Sequence, residues 1–200
     1  MINELALIIL PVLLSGLTFI CYLKWNKIAL LNIPLDMGLK INGKRVFGEN
    51  KTIKGPVLMG IFTSVYGYII FKLVNNIQIE NIGSSNLILA LALIGASYSL
   101  GELPNSFIKR QMGISPGAIP TKTFPKYFFR IIDTFDSLIT VGLLYYIFFR
   151  FSGFSIISAV LVGGGIHLIT DNLMMRLGLK GKFNKQAERN RNSQIIKSVT

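Results

Sequence analysis

Five apolar runs, each long enough to cross a bilayer as a helix, decide what this chain can become. A hydrocarbon layer of roughly 30 Å takes about 20 helical residues. Stretches of about that length lie near Leu5–Leu23, Val57–Val74, Leu87–Leu103, Ile131–Phe151 and Ile156–Met175. Inside hydrocarbon the backbone has to satisfy its own polar groups, which leaves helices as the form for such spans. The sequence therefore predicts an all-α, polytopic integral membrane protein with about five transmembrane helices. Pro11 falls inside the first run, where its missing N–H predicts a kink of the kind membrane helices tolerate. That run carries neither a basic leader nor a small-residue cleavage site, so it reads as a retained span rather than a secretory signal.

Charge fixes the topology. Only 15% of residues are charged, yet the net charge is +12; average soluble domains carry about a quarter charged residues. Of the 21 lysines and arginines, 19 fall between spans one and two, between spans three and four, or after span five. Lys72 and Arg150 are left on the other side, at span ends from which they can snorkel. The positive-inside rule then puts the N-terminus outside and both long loops and the tail in the cytoplasm. Because topology accounts for the basic residues, the charge does not argue for a nucleic-acid partner. Residues 1–180 read as one five-helix transmembrane domain with cytoplasmic loops at about 24–56 and 104–130, and 181–200 as a basic tail near anionic headgroups. The single cysteine, Cys21, lies in an apolar run and can build neither a disulfide nor a zinc site.

The carboxylates are as lopsided as the cations. Asp36, Glu49, Glu102, Asp133, Asp136 and Asp171, six of the nine acidic residues, converge on the cytoplasmic leaflet. Carboxylates at or within a span are costly and usually functional. Transport would spread polar groups through the bilayer depth, whereas chemistry at the inner interface concentrates them there. An interfacial enzyme is thus favoured over a transporter of anionic lipid or metabolite, with a non-catalytic membrane scaffold as the third reading.

Three blocks carry the candidate chemistry. Asp133 and Asp136 are i and i+3, on one helix face, at the expected start of span four; two carboxylates there suit Mg²⁺, which takes oxygen ligands and bridges to substrate phosphates. The stretch Gly101-Glu102-Leu-Pro-Asn-Ser106-Phe-Ile-Lys109-Arg110 sets a carboxylate, a hydroxyl and two cations at the same interface, Arg with a planar fork and Lys as a point charge for phosphate. The first loop contains Gly43-Lys-Arg45-Val-Phe-Gly48-Glu-Asn-Lys51-Thr52-Ile-Lys-Gly55, where glycines let backbone N–H groups approach phosphate oxygens. His167 and Asp171, at i and i+4, are expected to pair. Small residues at Gly60 and Ser64, Gly95 and Ser99, Ser97 and Gly101, and Gly163–Gly165 predict close helix packing.

These blocks, with Pro34-Leu-Asp36-Met-Gly38 before them and His167-Leu-Ile-Thr-Asp-Asn172 through Lys180 after them, resemble in their order the CDP-archaeol synthase family, compact relatives of the CDP-diglyceride synthetases (phosphatidate cytidylyltransferases). The resemblance implies a membrane enzyme that transfers the cytidylyl group from CTP to a lipid phosphate, archaetidic or phosphatidic acid, giving CDP-lipid and pyrophosphate for phospholipid biosynthesis. It implies that Asp133 and Asp136 bind Mg²⁺ with Glu102 in support. It further implies that Arg45, Gly48, Lys51 and Thr52 hold the CTP phosphates, and that Ser106, Lys109 and Arg110 hold one of the two phosphate groups, Lys109 acting with the aspartates in catalysis. Lipid tails would enter from the bilayer while nucleotide arrives from the cytoplasm. Self-association is left open by the sequence.

Overall fold

A computed structural model of the protein describes residues 2–25, 31–74, 84–116, 118 and 123–176. The loop cations Lys27 and Lys122, the block from 177 to 180 and the basic tail lie outside these residues. Most of the described residues are helical: α1 (Ile2–Trp25), α2 (Lys54–Leu73), α3 (Ser84–Gly101), α4 (Leu103–Gln111), α5 (Thr123–Phe149) and α6 (Gly153–Arg176). Among the described residues, five stretches, Ile2–Leu23, Lys54–Leu73, Ser85–Gln111, Phe124–Phe149 and Gly153–Leu173, are long and apolar enough to cross a membrane. This is the all-α integral membrane architecture the apolar runs predict.

Packing follows the small residues. A Cβ placed on Gly60 of α2 would sit 3.0 Å from the Ala92 carbonyl oxygen of α3, and one on Gly95 would collide with the backbone of Met59. The two backbones can approach this closely only because both positions are glycine. Leu7, Met59, Leu91, Ile94 and Tyr145 are almost wholly enclosed at the centre, where α1, α2, α3 and α5 meet.

Helix α1 runs through Pro11 without interruption. Proline has no N–H to give the carbonyl four residues back, here that of Leu7. The hydroxyl of the fully enclosed Tyr145 donates to that carbonyl oxygen at 2.8 Å. Ser15 Oγ in turn donates to the Pro11 carbonyl oxygen at 2.6 Å. In this way a neighbouring helix supplies the donor that the proline withholds from a buried carbonyl.

Two features differ from the expectation. Much of the stretch read as the second loop is helix, namely α4 and the first turns of α5. The run Thr123-Phe-Pro-Lys-Tyr-Phe-Phe has the aromatic and proline-at-start character of an opening helical turn, and its apolar side chains extend the span toward the interface. Asp133 consequently lies ten residues inside α5, about three turns from its start, too far in to serve as a helix cap. The first loop, for its part, contains a two-stranded antiparallel hairpin, β1 (Lys40–Ile41) and β2 (Lys44–Arg45). Its turn, Asn42-Gly43, has positive φ at both residues (51° and 75°), the combination a type I′ turn requires.

Candidate active site

The first loop is folded around one carboxylate. Its ends pair: Leu35 N–H donates to the Lys51 carbonyl at 2.8 Å and Ile53 N–H to that of Ile33 at 3.0 Å, with Pro34 opposite Thr52. Between them the Asp36 side chain has no exposed surface. It accepts from the backbone N–H groups of Gly48 (2.9 Å), Phe47 (3.1 Å) and Gly38 (3.1 Å), and from Arg45 at Nη2 (2.5 Å) and Nε (3.3 Å). Burial opposes ionisation of Asp36, but Arg45 and the three N–H donors outweigh it and hold the carboxyl far below its ordinary range. Asp36 in return raises the Arg45 guanidinium, working against its burial. Gly48 is at φ +99°, and a Cβ there would meet Arg110 Nε at 3.1 Å. Arg45 and Gly48, expected at the CTP phosphates, are thus tied to Asp36, and Thr52 forms part of the pairing that closes the loop.

The loop docks on α4. Arg110, buried, donates from Nε to the Phe47 carbonyl at 3.1 Å and from Nη1 to the Ile114 carbonyl. Lys44 Nζ donates to the Gln111 carbonyl at 2.5 Å. Lys51, further along the loop, reaches down to Glu102. Glu102 is the single non-helical residue between α3 and α4. Gly101 makes that break close to α5: a Cβ there would lie 3.1 Å from both the Asp136 carbonyl oxygen and Ser137 Cα.

From Glu102 a chain of polar contacts crosses to α5. Ser137 Oγ lies 3.5 Å from Glu102 Oε1 and 3.3 Å from Asp136 Oδ1, and Ser137 N–H donates to the same Asp136 oxygen at 2.7 Å. Asn105 of α4 donates from Nδ2 to Asp133 Oδ1 at 2.5 Å and to Asp136 Oδ2 at 3.2 Å. Lys109, one turn on, donates to both oxygens of Asp133, at 2.5 and 2.6 Å. The structure therefore brings Lys51, Glu102, Lys109, Asp133 and Asp136 into one network, with Ser106 buried beside it.

This network closes one end of a cavity of about 540 Å³. Lys51, Glu102, Lys109, Arg130, Asp133 and His167 line the polar end. Towards the bundle interior the walls turn apolar, with Val12 and Leu17 of α1, Leu138 and Val141 of α5, and Ala159 and Val160 of α6. One compartment is thus cationic and anionic at one end and hydrocarbon-like at the other. His167 Nδ1 is 3.0 Å from the Tyr98 hydroxyl. Its Nε2 is 3.8 Å from Asp171, beyond hydrogen-bond range; the expected partner is a neighbour, and Tyr98 is the residue that orients the ring.

The donor set suits a hard divalent cation. A single atom, Asn105 Nδ2, lies within hydrogen-bond reach of both Asp133 and Asp136, so the two carboxylates converge on one point. Mg²⁺ is commonly held by one or two carboxylates plus substrate phosphates and water, and the adjoining cavity leaves room for both. Among the described residues no three acidic, histidine or cysteine side chains gather closely enough to share an ion; Glu102 stands to one side of the aspartate pair, with Lys51 and Ser137.

Several site residues went unnoticed in the sequence. Lys126 and Arg130 line the cavity beside Asp133, and their i, i+4, i+7 spacing is a helix-face signature that shows only once α5 begins at Thr123. Ser137 was visible as the neighbour of Asp136. Asn105 had no signal beyond its place in the Glu102–Arg110 block, since what makes it a site residue is contact with another helix.

A family model described as CarS-like, CDP-archaeol synthase, matches residues 5–183. The CDP-archaeol synthase of Pyrobaculum aerophilum is 32% identical over 164 residues, covering 81% of this chain and 85% of the relative. That of Staphylothermus marinus is 34% identical over 150 residues, 71% and 73% of the two chains. That of Archaeoglobus fulgidus is 28% identical over 170 residues, 80% and 90%. No solved structure matches the chain.

Proposed function

The chain belongs to the CDP-archaeol synthase family, and from that premise we propose that it transfers the cytidylyl group of CTP to a membrane lipid phosphate of the archaetidic acid type at the cavity between α1, α3, α5 and α6. It is a CTP:lipid-phosphate cytidylyltransferase. The observation that carries the site assignment is the two-ended cavity, whose charged end fits phosphates and whose apolar end fits isoprenoid or acyl chains.

In the reaction an oxygen of the lipid phosphate attacks the α-phosphorus of CTP. A new P–O bond forms, the bond from the α-phosphorus to the α,β-bridging oxygen breaks, and pyrophosphate leaves with that electron pair. Such a transfer needs positioning and charge neutralisation more than covalent help. Asp133 and Asp136 hold Mg²⁺, and Glu102 supports them from Lys51 and Ser137. When bound, the cation neutralises phosphate charge and orients the reacting oxygens. Lys109 and Lys51 supply positive charge at the cavity wall, where low dielectric makes it more effective than in water. Ser106 and Arg130 add a hydroxyl and a guanidinium to the same wall. Arg45, Gly48, Thr52 and Arg110 act on the CTP phosphates by holding the loop and α4 over the cavity.

The charge asymmetry supports a cytoplasmic site with the N-terminus outside. CTP then enters from the loop side while lipid enters between helices, and the CDP-lipid feeds phospholipid headgroup exchange. The decisive assay is transfer of label from [α-³²P]CTP to archaetidic acid and to phosphatidic acid by purified protein, with Mg²⁺ and with EDTA. Incorporation with Mg²⁺ that vanishes in EDTA supports the reading. Turnover-free flux of either lipid in liposomes, without incorporation, would replace it with transport.

A further inference from the structure

Asn105 is the side chain that joins the two α5 carboxylates, and half of its amide is unaccounted for. The residue is 4% exposed. Its Nδ2 serves Asp133 and Asp136, while its Oδ1 is buried without a hydrogen-bond partner. A buried amide oxygen is normally satisfied, so an orphan beside a pair of carboxylates calls for a ligand. We propose that Asn105 is a third oxygen ligand of the divalent cation assigned above to Asp133 and Asp136, and that without the cation its amide N–H₂ takes the cation's place between them. The inference rests on that metal assignment.

The physics is a charge reversal at one point. Two carboxylates facing each other repel, and the N–H₂ end of the amide is the only part of Asn105 that offsets this. The two ends of an amide are nearly equal in shape, and the terminal torsion of Asn is broad and roughly two-fold. A half-turn about it therefore exchanges Nδ2 for Oδ1 with little rearrangement. A cation between the carboxylates repels the N–H₂ and attracts the carbonyl dipole, and hard divalent ions take carboxylate and amide oxygens alike. The same side chain thus holds the aspartates together when the site is bare and completes the oxygen set when it is filled. Leucine or alanine could do neither, and aspartate only the second.

The test is Mn²⁺ titration of the purified full-length chain in detergent, following free Mn²⁺ by EPR, with melting temperature in EDTA and in Mn²⁺ as a second readout. Wild type, Asn105→Ala, Asn105→Asp and Asp133→Asn are compared, each checked for helix content by circular dichroism. Asn105→Ala should weaken Mn²⁺ binding roughly tenfold or more. Asn105→Asp should bind at least as tightly as wild type, yet melt lower in EDTA, because three carboxylates then face one another, and gain more from Mn²⁺ than wild type does. Binding by Asn105→Ala within twofold of wild type, or equal weakening in Ala and Asp variants, overturns ligation by Asn105 and leaves the aspartate site standing. Failure of wild type to bind Mn²⁺, or full binding by Asp133→Asn, overturns the metal assignment and this inference with it.

Discussion

Lys109 Nζ spans both carboxylate oxygens of Asp133, at 2.5 and 2.6 Å, so the cation proposed for phosphate and the carboxylate proposed for metal neutralise each other across α4 and α5. Substrate with its metal would exchange partners within this pair rather than introduce uncompensated charge. Lys109→Met should lower cytidylyl transfer by about 10²–10³, the range for losing one preorganised electrostatic group, while leaving helix content unchanged. Asp133→Asn should abolish transfer at all Mg²⁺ concentrations. The measurement is labelled CTP incorporation; activity within threefold of wild type in either variant contradicts the assignment.

Tyr145 and Pro11 form a second testable pair. The hydroxyl satisfies the Leu7 carbonyl that Pro11 strands, so Tyr145→Phe should cost about 1–3 kcal/mol, the penalty of an orphaned buried acceptor. Pro11→Ala restores an N–H to that carbonyl. In the Pro11→Ala background Tyr145→Phe should therefore cost much less. Thermal unfolding of the four proteins in detergent gives the coupling energy. Equal cost in both backgrounds would show that the hydroxyl is not compensating the proline.

Asp36 predicts a pH response of the first loop. Its carboxyl is held well below the ordinary value, so it contributes stability that is complete above the unfolded value of about 3.9 and is lost as pH falls below it toward the folded one. Hydrogen exchange at Phe47 and Gly48, whose N–H groups Asp36 holds, should accelerate beyond its intrinsic pH trend only at the acid end of that range. At neutral pH Asp36→Asn should already show the loosened loop, since an amide replaces a carboxylate that accepts five hydrogen bonds. Unchanged protection in Asp36→Asn at pH 7 would deny it this role.

How much of this was readable beforehand depended on the range of the interaction. Hydropathy revealed the spans, because hydrocarbon thickness imposes a length that no packing detail can alter. The aspartate pair and Lys109 were readable because i, i+3 spacing and charge at an interface are local signals. The start of α5 was missed: Lys126 and Arg130 interrupt the apolar run, so hydropathy trimmed a helix whose first turns sit at the interface. Asp36 stood out as an acid in a basic loop and as part of the Pro34–Gly38 block, but its role as the centre of the loop did not, since its five donors come from residues up to 12 positions away. The hairpin had a usable signal in Asn42-Gly43, which the membrane reading passed over. Arg110 carries a second role that no local signal shows. Its guanidinium suggested phosphate, and it lines the cavity, while its Nε and Nη1 donate to the Phe47 and Ile114 carbonyls; nothing in a linear sequence reveals that a guanidinium ties two segments together.

Gly101 offers the sharpest test of how the carboxylates are positioned. It lets the α3–α4 break press against α5: a Cβ there would collide with Thr140 Oγ1 and lie 3.1 Å from both the Asp136 carbonyl oxygen and Ser137 Cα. Thr140 Oγ1 donates to that same carbonyl, so Gly101→Ala should break this bond or shift Glu102 and α4 by a few tenths of an ångström relative to Asp136. Overpacking of this kind costs about 1–3 kcal/mol, and a shift of even 1 Å at a reacting site can lower the rate by about 10². Gly165 of α6 is the matched control: a Cβ there meets nothing within 4 Å, and replacing a helical glycine with alanine should be neutral or stabilising by up to about 1 kcal/mol. Labelled CTP incorporation and melting temperature, measured on both variants, should therefore diverge, with Gly101→Ala losing activity by more than its loss of stability explains. Equal activity in the two variants would mean that the contact between Gly101 and α5 does not set the position of the aspartates.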